Sequence, residues 1–295
     1  MNVKSLKGMH GDDAAGPSIL KRNVLVFCTA IIAIGHLLEE ARGYGWTSRM
    51  FPNHWEYIYR IADTSVAIAF ASLMCWVIWF SHKHLTPFFV APILGLLVWS
   101  ENELKSRAFF GAFLQTIDWW QWAAIDASLA VLVAIFLKPI VKKSTDRKIG
   151  AMALSIADLF LATLASAVLL IATQSIATLP ASPENPSILF CGWPQTLMAC
   201  GTGILTGGVA AATIYLAIAG NWKLGLFVYV CTCLAYFGLT SSVMISNGKI
   251  ALQSFSDSNF LVSPSDPLFI VFVLFAAGML AIRYRCERMQ RVDAN

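Results

Sequence analysis

Apolar stretches as long as a bilayer-crossing helix recur from one end of the chain to the other, and nothing else in the sequence restricts its fold as much. A spanning helix needs about 20 mainly apolar residues, and eight windows qualify: 23–41, 61–81, 86–103, 118–138, 151–178, 195–219, 223–246 and 267–285. With 57% hydrophobic and 13% charged residues, the chain carries more apolar side chain than a soluble core of this size can bury. The apolar–polar alternation of a membrane barrel is missing from the sequence. The expected fold class is an all-α polytopic integral membrane protein with eight transmembrane helices.

Lys and Arg in the short loops set the orientation. One side collects the N-terminal tail, His82-Lys83-His84, the run Lys138, Lys142, Lys143, Arg147 and Lys148, the Asn221–Lys223 turn, and Arg283, Arg285, Arg288 and Arg291. That side is expected to be cytoplasmic, with both termini on it. Residues 180–194 on the other side have no Lys or Arg, and residues 247–266 have only Lys249. The chain then divides into a tail (1–22), transmembrane helices 1–4 (23–138), a basic linker (139–150), helices 5–8 (151–285) and a second tail (286–295). The polar start, with Lys4, Lys7, Asp12 and Asp13 ahead of Lys21 and Arg22, is too long for the basic region of a signal peptide. The first span therefore reads as a retained signal anchor in an integral, multi-pass membrane protein, in the inner membrane if the source is bacterial.

This orientation gathers the acids. His36, Glu39 and Glu40 stand at i, i+3 and i+4 near the outer end of span 1 and share one helix face. Asp63 opens span 2, Glu101 and Glu103 close span 3, and Asp118 marks the mouth of span 4. Asp126 lies about 12 Å deeper than Asp118 at 1.5 Å per residue. Seven tryptophans, Trp46, Trp55, Trp99, Trp119, Trp120, Trp122 and Trp193, fall on the same side, against Trp76, Trp79 and Trp222 on the other. Belts normally occupy both interfaces, so the bias points to a tryptophan-walled vestibule. Residues 47–60 and 104–117 read as interfacial segments over its mouth. Pro92 is expected to kink span 3.

After the basic linker the character changes. Spans 5–8 hold one acid well inside a window, Asp158, near the cytoplasmic end of its helix, and they read as scaffold or lipid-facing partner. In span 6, Gly203, Gly207 and Ala211 form a small-residue row of the kind that lets helices approach closely. Of seven cysteines only Cys191 falls in an outer loop, so no disulfide framework follows, and Cys231 and Cys233 point to different helix faces.

Ionisable groups in a membrane are costly, about 2.5–3.5 kcal/mol each on insertion scales, so several together indicate function. Against this stands the reading that Glu39, Glu40, Glu101, Glu103 and Asp118 are solvated at headgroup level and paired with Arg42, Lys105 and Arg107. The leading functional expectation is acid–base catalysis on a lipophilic substrate of isoprenoid, sterol or other lipid-like type. Crowded carboxylates cannot all ionise, so one becomes a general acid while a neighbour stays a base. The candidate catalytic residues are His36, Glu39, Glu40, Asp63, Glu101, Asp118 and Asp126. Trp46, Trp99, Trp119 and Trp122 would hold the substrate and stabilise positive charge through their ring faces. His36-x-x-x-Glu40 at an outer helix end, followed by acids on the next helices, is similar to the sterol isomerase type of membrane enzyme over less than a quarter of the chain.

Three alternatives stay open. The same His and carboxylate set could bind a divalent metal, the acids could form a cation or proton pathway, or they could dock a partner, with the chain as a homo-oligomer or complex subunit. No late span has a lysine for a retinal Schiff base. No phosphate loop, Ser-His-Asp order or His-Glu-x-x-His occurs. The net charge of +4 is accounted for by the cytoplasmic loops, so the expected partners are membrane lipid and a lipophilic small molecule, not nucleic acid.

Overall fold

A computed structural model describes residues 15–43, 55–80, 119–144, 156–177, 193–251 and 265–293. Among them are seven α-helices and no strand: α1 (Ala15–Gly43), α2 (Trp55–Phe80), α3 (Trp119–Ser144), α4 (Ile156–Ala177), α5 (Trp193–Ile218), α6 (Trp222–Ala251) and α7 (Ser265–Asp293). Each coincides with one apolar window; the window 86–103 lies outside the described residues.

Several helices outrun their windows. α1 starts at Ala15, inside the stretch expected to be a tail, and α7 continues to Asp293. α2 starts at Trp55, so the second half of the segment 47–60, expected to be interfacial, is the first turns of a long helix. α3 passes through Pro139 to Ser144, so the expected linker begins as helix. Adding a residue to an existing helix needs no new nucleus, so helices extend past the point where apolarity ends.

The centre of the bundle is α5, which packs on α2, α3, α4, α6 and α7. Every residue from Val209 to Ala219 is buried. Its small residues allow this. A Cβ on Gly207 would lie 2.9 Å from the Cα of Ala130, so α3 and α5 touch backbone to backbone, as the row Gly203, Gly207, Ala211 led one to expect. The helices expected to be scaffold thus include the one around which the others are arranged.

Individual contacts fix the helix directions. Gly35, late in α1, lies against Ala62 and Val66, early in α2, so these two are antiparallel. Trp79, at the end of α2, donates its indole N–H to the Ala134 carbonyl in the second half of α3 at 2.8 Å. α2 and α3 therefore run parallel. Ala172 packs with Ile125 and Leu129, and Lys138 meets Asp158, making α3 and α4 antiparallel. α6 folds back on α5 after a tight turn, with Asn221 Oδ1 accepting the Lys223 N–H at 3.0 Å to cap the new helix. α7 packs beside α1 through an edge-to-face pair, Phe27 and Phe275, 5.7 Å between ring centres.

Two helices hold a stretch long and apolar enough to cross a membrane by length and composition, Cys200–Ile218 and Leu268–Met289. The outward faces of α4, α6 and α7 are apolar, with Phe160, Leu164, Phe227, Leu234, Phe269 and Val273 all exposed. A helix on the surface of a soluble domain would turn polar residues that way.

Candidate functional site

The expected site lies where α1 ends and α2 and α3 begin. Gly35 makes the first junction: a Cβ there would collide with Cγ2 of Val66 as it stands, so the missing side chain helps α1 sit close to α2. His36, the next residue, is half-buried and lies level with the α2 turn that contains Asp63. Glu39 and Glu40 follow within one further turn of α1. On α3, Asp126 stands one turn before Ala130, the residue that meets Gly207, so its backbone position lies on the row that approaches α5.

The helix directions put the end of α1 and the starts of α2 and α3 at one end of the bundle, the acidic end below, and the backbone positions of Glu39, Glu40, Asp63 and Asp126 lie in the halves of these helices nearest that end. Trp119 and Trp122, in the first turn of α3, stand at that end too. For Glu39, Glu40, Asp63, Trp119, Trp122 and Asp126 the helical backbone is described and the side chain is not, while Trp46, Trp99, Glu101 and Asp118 lie outside the described residues. Among the described residues, no three His, Cys, Asp or Glu side chains come together as a metal-binding group.

Two buried hydroxyls extend inward from this end. Ser65 and Ser72 on α2 have no hydrogen-bond partner, although threonines elsewhere satisfy theirs by donating one turn back, as Thr213 does to the Val209 carbonyl at 2.7 Å. Ser65, Ser72 and Trp79 are successive members of an i, i+7 row, and Trp79 meets α3. Stepping back seven residues from the Trp79–Ala134 contact puts Ser72 level with Ala127, beside the Asp126 position. An unpartnered buried hydroxyl costs about 1–3 kcal/mol, so each is suited to hold a water or a ligand atom.

The other end holds polar groups that hydropathy had placed differently. Lys138, expected in a cytoplasmic loop, is inside α3 and buried, with its Nζ 2.6 Å from Oδ2 of Asp158 in the first turn of α4. The sequence held one signal of this: opposite charges closing one apolar window and opening the next, on consecutive helices. Arg283 reaches from α7 to donate to the Ala219 carbonyl at 2.6 Å and the Gly220 carbonyl at 3.3 Å, and pairs with Glu287 at 2.8 Å. It thereby satisfies carbonyls that the end of α5 leaves free. Trp76 and Trp79, expected on the side opposite the other tryptophans, are core residues.

No protein-family model matches the chain, and comparison with curated proteins and with solved structures finds no match.

Proposed function

We propose that the protein is a multi-pass integral membrane enzyme that performs acid–base chemistry on a lipophilic substrate in a pocket at the acidic end of α1, α2 and α3. The membrane reading is supported by the two long apolar helices and by the apolar outward faces of α4, α6 and α7. α2 and α3 run parallel, which agrees with the eight-span expectation in which the window 86–103 is a crossing of its own.

The observation that carries the catalytic reading is the helix arrangement: the backbone positions of Glu39, Glu40, Asp63 and Asp126 fall toward the same end of three helices, with the unpartnered buried hydroxyls of Ser65 and Ser72 on the middle one. Carboxyls crowded at one place in a membrane cannot all ionise, so in this reading one serves as a general acid while a neighbour stays a base. His36, on the turn before Glu40, relays the proton. Glu101 and Asp118 belong to the same proposed set, with Trp46, Trp99, Trp119 and Trp122 as the wall that receives the substrate.

The test incubates detergent-purified protein with a membrane lipid extract and follows substrate loss and product gain by mass spectrometry. Glu40→Gln and Asp126→Asn should each abolish conversion while the protein still inserts in membranes; full conversion by both variants removes the proposal. A second reading, a cation or proton pathway, is favoured by the buried Lys138–Asp158 pair at the opposite end. It predicts flux in proteoliposomes that both variants lose, whereas an enzyme turns over in detergent with no gradient.

A further inference from the structure

The end of the bundle opposite the acids carries a collar of exposed cations, none of which forms an ion pair with another side chain among the described residues. The exposed face of α7 is apolar through Phe269, Ile270, Val273 and Leu274, then presents Tyr284, Arg285 and Arg288. The exposed face of α6 shows the same sequence in reverse, with Trp222 and Lys223 at its start and Leu224, Phe227 and Leu234 beyond. Arg283, bonded to Ala219 and Gly220 just before α6, brings these two ends side by side. On α1, Arg22 is exposed five residues before Phe27, which packs on Phe275; because α1 and α7 run in opposite directions, Arg22 lies toward the same end.

The acids at this end whose side chains are described, Asp158 and Glu287, are already paired with Lys138 and Arg283. Arg22, Lys223, Arg285 and Arg288 thus present net positive charge directly beside two aromatic rings, above faces fit for acyl chains. Resting on the membrane reading above, we infer that the α6–α7 face, with Arg22 of α1 at its edge, binds the headgroup of an anionic phospholipid. Arg285, Arg288 and Lys223 engage the phosphate, Trp222 and Tyr284 lie at the glycerol level, and the chains run along the apolar faces.

The test offers detergent-purified full-length protein an equal mixture of phosphatidylglycerol and phosphatidylcholine, and counts bound lipid by native mass spectrometry. Wild type should retain phosphatidylglycerol preferentially. The triple variant K223Q/R285Q/R288Q should lose that preference by at least about tenfold with an unchanged melting temperature, since all three side chains are exposed, and R285K/R288K should keep most of it. Equal retention of both lipids by wild type, or an undiminished preference in the triple variant, overturns the inference. Alkaline carbonate extraction separates the two failures. Wild type released from membranes contradicts the membrane reading itself; wild type that stays in the membrane without lipid preference contradicts this site alone.

Discussion

Lys138→Met keeps most of the side-chain volume and removes the charge, leaving Asp158 buried without its cation. In the structure the two groups are 2.6 Å apart, and their side chains are 1% and 6% exposed. Water therefore cannot take the place of the lost partner. Removing one member of a buried pair costs about 3–5 kcal/mol, while replacing both with apolar residues of similar volume is often neutral or stabilising. At roughly 2–4 °C per kcal/mol for a chain of 150–250 residues, the single variant should melt about 10 °C lower. Asp158→Leu should fall similarly, and K138M/D158L should recover most of the loss. Tryptophan fluorescence of the detergent-purified protein on heating reads all three, and the double-mutant cycle gives the coupling. A Lys138→Met variant within about 2 °C of wild type, or a double variant that loses the sum of the two singles, would refute the reasoning that the pair is dry and mutually dependent.

Two further substitutions test the packing. Gly207→Val puts a branched side chain where a Cβ alone would already lie 2.9 Å from the Ala130 Cα; backbone cannot swing aside, so a loss of about 1–3 kcal/mol or more is expected, and unchanged melting would show that α3 and α5 are farther apart. Tyr229→Phe removes a buried hydrogen bond of 2.7 Å to the Phe272 carbonyl between α6 and α7. Interhelical bonds of this kind average about 0.6 kcal/mol in membranes, so the melting temperature should move by only a degree or two, and a loss as large as that of Lys138→Met would give the bond a role that one missing partner does not explain.

Lengthwise features were legible in the sequence, and lateral ones much less so. Seven of the expected helices are present in order, Asp158 sits in the first turn of its helix, Cys231 is exposed while Cys233 is buried, and Gly207, from the small-residue row, meets a close neighbour. Each of these depends on periodicity or composition along one segment. The burial of Lys138 and Trp79 was not legible because a basic or aromatic residue near the end of an apolar window reads the same whether it faces outward or into the bundle. Only the neighbouring helix decides, through Asp158 in one case and the Ala134 carbonyl in the other. The centrality of α5 was hidden for a related reason: small residues announce close packing but do not say on how many sides. At the candidate site, the meeting of the His36 and Asp63 turns is helped by Gly35, whose lack of a side chain matters only once Val66 is known to lie opposite.

The central claim is a bundle that crosses a membrane, with the acidic end of α1–α3 facing outward and the collar of Arg22, Lys223, Arg285 and Arg288 facing the cytoplasm. Single cysteines placed by S187C and by R288C in an otherwise cysteine-free chain test it most directly, using a membrane-impermeant maleimide on intact cells and again after permeabilisation. An eight-pass arrangement predicts that S187C labels in intact cells and R288C only after permeabilisation. Labelling of R288C but not S187C in intact cells would invert the orientation, and equal labelling of both only after lysis would contradict a membrane-crossing bundle.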